Sequence, residues 1–110
     1  MSTPEISVQD FGEMLKSDQD FILLDVREPW ELERAKWDDA RLKFVPMSQL
    51  AQRGLEKMPE DMPVVVVCHH GIRSFHVTNW LLSLGLQNVN SLRGGIEAYA
   101  LEVDASVGRY

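Results

Sequence analysis

The stretch Val64-Val65-Val66-Val67-Cys68-His69-His70-Gly71-Ile72-Arg73-Ser74 decides how this chain is read. β-Branched residues in unbroken succession favour extended backbone. No polar residue alternates with them, so the strand they form must be covered on both faces, as in a parallel sheet. Beyond it, Phe75, Val77, Trp80, Leu81, Leu82 and Leu84 supply the apolar positions of a helix. The pattern predicts that Ser74 opens this helix, that it runs to Leu84, and that Gly85 stops it.

The flanking sequence repeats the alternation. Ser7 is placed to cap a helix through Lys16, with Asp10 at the capping-box position and Val8, Phe11 and Leu15 as its buried stripe, Met14 alongside. Asp18 to Asp20 turns the chain into Phe21-Ile22-Leu23-Leu24, a second continuous apolar run that ends at Asp25. A short helix is expected from Glu28 to Arg34, then a strand from Leu42 to Val45 closed by Pro46. Ser48 is expected to cap a helix running to about Leu55, interrupted by Gly54, with a loop from Met58 to Pro63. Asn88 to Leu92 reads as the last strand, followed by Arg93-Gly94-Gly95, a short helix from Ile96 to Leu101 and a polar tail. Alternating strands and helices imply an α/β fold, a small parallel sheet with helices on both faces. Ligands in such folds sit at the carboxyl ends of the strands. The length of 110 residues fits a single domain, and no repeat or linker interrupts it.

Composition removes several function classes. The formal charge is −6, which disfavours a nucleic-acid partner and gives no reason to expect an anionic membrane surface. No apolar run approaches bilayer length, and the first residues lack the basic-then-apolar pattern of a signal peptide. The lone cysteine cannot form an internal disulfide. A reducing cytoplasm is therefore the expected location, and a monomer the default state.

The chemistry lies in the turn after the valines. A short loop between a strand end and a helix start aims backbone N–H groups inward as an anion cradle, and the helix dipole adds partial positive charge. Arg73 adds a full one. Both favour the thiolate of Cys68, its reactive form. Gly71 lets the loop tighten, and His69 and His70 can donate hydrogen bonds or gain charge as pH falls. A cysteine capping a core strand as a small hydrophobe would need no glycine, arginine or helix N-terminus beside it.

The segment Cys68-His69-His70-Gly71-Ile72-Arg73-Ser74 resembles the active-site loop of single-domain rhodanese-like sulfurtransferases. Leu24-Asp25-Val26-Arg27-Glu28 is similar to the Asp-Val-Arg-Glu segment of that family, and Leu92-Arg93-Gly94-Gly95-Ile96 to its closing Gly-Gly motif. The tail from Glu102 to Tyr110 resembles one branch of it. The resemblance implies a rhodanese-like fold and a two-step transfer, in which Cys68 takes sulfur from a small anionic donor such as thiosulfate and yields it to cyanide or a thiol. It implies His69, His70, Gly71, Ile72 and Arg73 as the substrate cradle, Asp25 and Arg27 as supporting residues, and a sulfur-relay protein as a possible partner. No metal and no organic cofactor is implied, because the cysteine is itself the carrier. Ala35-Lys36-Trp37-Asp38-Asp39-Ala40 departs from the Gly-His-Ile-x-Gly-Ala segment of many relatives, so the loop path near Trp37 is left open.

Glu28 and Glu31 read as a solvated helix face, His76 as structural or solvent-facing, and Trp80 as core. Two rival functions remain. One is a catalytically weak rhodanese-like docking or regulatory module. The other is a cysteine-dependent phosphatase or arsenate reductase; these use longer loops than the four residues separating Cys68 from Arg73, and intramolecular disulfide chemistry would need a second cysteine. Because histidines occupy loop positions where many relatives carry Lys, Arg or Ser, thiosulfate affinity is expected to weaken as pH rises from about 5.5 to 8, across the histidine range. A calorimetric titration showing flat affinity over that window would contradict this.

Overall fold

The computed structural model describes residues 3–53 and 61–110. In chain order the elements are β1 (Glu5–Ile6), α1 (Val8–Lys16), β2 (Ile22–Asp25), α2 (Pro29–Leu32), β3 (Leu42–Phe44), α3 (Met47–Arg53), β4 (Val64–Val67), α4 (Ile72–Ser83), β5 (Val89–Leu92), α5 (Gly95–Glu102) and a 3-10 turn at Ala105–Val107. The strands form one five-stranded sheet in the order β1-β5-β4-β2-β3, every pair parallel. This is the expected α/β architecture. The valine strand lies at the centre, with Asp25 at the end of β2 in register with Val67.

Alternation along the central strands divides the core. Ile22, Leu24, Val64, Val66 and Cys68 pack on one face with Leu50 of α3 and Val77 and Leu81 of α4. Leu23, Val65 and Val67 pack on the other with Val8 and Phe11 of α1 and Ile96 and Tyr99 of α5. Helices on both faces explain why neither strand carries a polar residue before its carboxyl end. Trp37 is buried on the second face, edge-on to Phe11 at 5.4 Å and to Tyr99 at 4.8 Å. The departure from the common segment thus leaves an aromatic residue filling the core. Trp80 is partly buried against the opposite face.

Ser7 caps α1 as expected, its hydroxyl accepting from the Asp10 amide. Elsewhere the boundaries differ. β1 pairs with β5 over two residues, too short for any periodic signal. Ser48 lies inside α3, and its hydroxyl donates to Glu28 instead of capping. The expected end of that helix near Leu55, its interruption at Gly54 and the first half of the Met58–Pro63 loop lie outside the described residues. α4 starts at Ile72, ahead of Ser74. The polar tail folds back, with the Lys36 amide donating to the Val107 carbonyl at 2.9 Å.

Leu24 is fully buried on a central strand. Leu24→Ala should cost about 2–5 kcal/mol, measured by chemical denaturation, through lost transfer energy and the cavity left behind.

Candidate active site

Cys68 follows directly from β4, and its side chain is 1% exposed. The sulfur lies at the edge of the apolar cluster but faces polar partners. Its Sγ accepts from the Gly71 amide at 3.1 Å and the Ser74 amide at 3.2 Å. Ser74 Oγ lies 3.4 Å from Sγ and 2.7 Å from Ser91 Oγ on β5. Ser74 and Ser91 are both fully buried.

This geometry explains where α4 begins. A helix leaves its first N–H groups unpaired, and a side chain at the N-cap normally accepts one of them. The N-cap here is Gly71, which has no side chain to offer and sits at φ 93°, ψ 0°. Cys68 Sγ takes the place of the capping oxygen by accepting from Ser74 in the first turn. A Cβ on Gly71 would also stand 2.9 Å from the Gly94 nitrogen, so glycine is required both by conformation and by space.

The Gly-Gly turn closes the loop from behind. The Ile96 amide donates to the Cys68 carbonyl at 3.0 Å, and the Glu97 amide to the His69 carbonyl at 3.1 Å. A Cβ on Gly95 would collide with both carbonyls. The start of α5 thereby fixes the outward face of the loop while its inward amides meet the sulfur.

The site residues fall into three groups. Cys68, Gly71 and Ser74 make the cradle. Asp25 and Arg27 lie fully buried at the carboxyl end of β2, paired through Arg27 Nη2 and Asp25 Oδ2 at 2.8 Å and Arg27 Nε and Asp25 Oδ1 at 3.0 Å. The outer group is more varied. His69 is half-buried, stacked between His70 at 3.8 Å and Tyr110 at 3.7 Å. Ile72 contributes backbone to the turn, but its side chain is 67% exposed.

Glu31 corrects the expectation of a solvated face. It is buried, and its carboxylate receives both Nη1 and Nη2 of Arg73 at 2.7 Å. The arginine read as a free charge at the cradle is therefore half of a bidentate ion pair. Hydrogen bonds from Arg73 hold the Glu31 carboxyl well below its ordinary range, at about 2, against the opposing effect of burial. Arg73 is held correspondingly more basic by the same carboxylate. Glu31 also accepts from the Glu28 amide at 2.8 Å as the far half of a capping box around Pro29. That Glu-x-x-Glu spacing was the one local signal of its role. His69 titrates below its ordinary value, pushed down first by burial and then by His70. His70 and His76 are exposed.

Ser74, Ser91 and Tyr110 join the site without having been expected there. The Tyr110 hydroxyl donates to Glu31 Oε1 at 2.8 Å and accepts from Arg27 Nη1 at 3.2 Å. Among the described residues, no helix is long and apolar enough to cross a membrane.

The family described as Rhodanese-like domain matches residues 7–102. A protein of Allochromatium vinosum named Sulfurtransferase is 33% identical over 96 residues, covering 87% of each chain. Rhodanese-like/PpiC domain-containing protein 12, chloroplastic, from Arabidopsis thaliana is 40% identical over 91 residues; the match covers 80% of this chain but only 30% of that longer protein. Among solved structures, a rhodanese-related protein from Thermoplasma volcanium superposes with a TM-score of 0.77 at 32% identity, covering 91% of this chain and 93% of that one. The strand-loop-helix that presents Cys68 thus lies within a chain that belongs to the rhodanese-like domain family.

Proposed function

We propose that this protein is a sulfurtransferase that carries sulfane sulfur as a persulfide on Cys68, with thiosulfate as a competent donor and cyanide or a thiol as acceptor. The observation that supports this most is the convergence of the Gly71 and Ser74 amides on a single sulfur atom. The name of the Allochromatium relative points to the same class of chemistry.

In the first step the Cys68 thiolate attacks the outer sulfur of thiosulfate. A new S–S bond forms, the donor S–S bond breaks, and sulfite leaves with the bonding pair. In the second step the acceptor attacks the terminal sulfur of the persulfide. Cyanide leaves as thiocyanate, and the Cys68 thiolate is regenerated. Negative charge stays on sulfur throughout, so fixed N–H donors stabilise the reacting atoms without reorganising. The chemistry requires no metal or organic cofactor. A sulfur-relay protein could replace the small donor, and a reducing compartment would keep Cys68 available between turnovers.

Arg73 serves this scheme as part of a pair. Its guanidinium fastens the first turn of α4 to Glu31 of α2, holding the segment that carries the Ser74 amide. The depressed Glu31 value gives the pair a definite pH window. Its stabilisation is complete above the ordinary carboxylate value of 4.5 and is lost as pH falls through about 2.

After incubation with thiosulfate, the intact protein should gain the mass of one sulfur atom, and cyanide should remove it. Cys68→Ser should gain nothing. A wild-type protein that stays unmodified under these conditions contradicts the reading. Glu31→Gln should melt below the wild type at neutral pH, and the gap should narrow as pH falls from 4.5 towards 2. A gap that widens on acidification would contradict the sign of the Glu31 shift.

A further inference from the structure

The segment after α5 returns to the site. The Val103 and Asp104 amides both donate to the Tyr99 carbonyl, and Asp104 caps the 3-10 turn by accepting from the Ser106 amide at 3.0 Å. Arg109 pairs with Glu97 of α5 at 2.8 Å. These ties deliver the Tyr110 ring onto the imidazole of His69, with centroids 3.7 Å apart and planes within 9°. The edge of Trp30 meets the same ring at 6.1 Å.

Tyr110 therefore touches the buried Asp25–Arg27 pair, Glu31 and the loop residue His69, the groups that surround the cradle. Its hydroxyl lies between Arg27 of the buried pair and Glu31, which holds Arg73. Its ring covers the first residue after Cys68. Apolar packing alone would not explain the choice of side chain. A phenol with both a donor and an acceptor partner is doing more than fill space. The His69 backbone is fixed through its carbonyl by α5, and its imidazole is held by stacking on His70 and Tyr110 and by a hydrogen bond with the Tyr110 backbone, while Nε2 is buried without a partner.

We propose that Tyr110 is a positioning residue for sulfur transfer, clamping the His69 side of the cradle loop to the Glu31 and Arg27 network. This rests on the sulfur-transfer reading of Cys68. Tyr110 makes no contact with the sulfur. It acts through His69, whose backbone leads into the Gly71 amide, and through Glu31, whose other partner leads into the Ser74 amide. Loosening either contact lets a cradle donor drift from the sulfur, and small misplacements of that kind slow chemistry more than they weaken binding.

The test combines two variants with two readouts. Tyr110→Phe keeps the stacked ring and removes the hydroxyl; Tyr110→Leu removes both. Sulfur transfer from thiosulfate to cyanide should slow on the order of tenfold in kcat for the leucine variant, with KM little changed, and by a smaller factor for the phenylalanine variant. The second readout is the titration of His69 by NMR. The groups facing this ring are His70 from the loop, Tyr110 from the tail, Glu97 from α5 and Glu31 from α2. Burial lowers its value in the intact protein, so Tyr110→Leu should shift the midpoint upward, while Tyr110→Phe should leave it close to wild type. A role confined to tail stability would lower the melting temperature without this difference between the variants. Transfer by Tyr110→Leu within about twofold of wild type, or an unmoved His69 midpoint, would overturn the proposal. Failure of the wild type to load sulfur would remove the sulfur-transfer reading itself, whereas an upward shift of the His69 midpoint would still support the clamp.

Discussion

A sulfur atom that caps a helix is the constraint around which this site is arranged. The first turn of α4 needs an acceptor, Gly71 cannot provide one, and Cys68 Sγ stands within reach of both the Gly71 and Ser74 amides. The rest of the local structure keeps that meeting in place. The central valine strand fixes where the chain enters the turn, and α5 anchors the Cys68 and His69 carbonyls. Glycines at Gly71 and Gly95 allow two backbone segments to approach where any Cβ would intervene. In the proposed reading helix capping and anion binding are the same interaction, because an unpaired N–H group at a helix start serves either partner.

The electrostatics follow from this arrangement. Arg27 and Arg73 are each matched to a carboxylate, Asp25 and Glu31. Burial holds His69 towards its neutral form. The donors to the Cys68 sulfur are consequently the Gly71 and Ser74 amides, which carry direction without a long-range field. Such donors suit the proposed reaction, whose charge remains on sulfur from thiolate to persulfide. The paired arginines contribute rigidity instead. A buried ion pair is weak evidence of stability, yet breaking one partner away leaves an uncompensated charge. Asp25 and Arg27, fully buried behind the strand ends, fit that role.

The local features were the legible ones. An unbroken apolar run identified β4, and Ser7 announced the start of α1 through ordinary side-chain capping. The cysteine, its glycine and the later Gly-Gly turn were visible as motifs because their requirements are steric and short-range. Features that depend on distant partners were not. The start of α4 was displaced because its cap is a sulfur three residues before Gly71. Glu31 looked solvated by composition, but its partner Arg73 is 42 residues away. Tyr110 meets Arg27 across 83 residues, and no local pattern records such a contact. Ser91 occupies an otherwise apolar strand face, where only its partner Ser74 explains a buried hydroxyl.

The central claim concerns where sulfur is held, so the most direct measurement is a crystal structure of the protein after loading with thiosulfate. The account predicts a second sulfur bonded to Cys68 Sγ and lying within hydrogen-bonding distance of amides in the Cys68–Ser74 loop. A persulfide directed instead into the apolar cluster around Leu24 and Val77, with those amides pointing away, would contradict it.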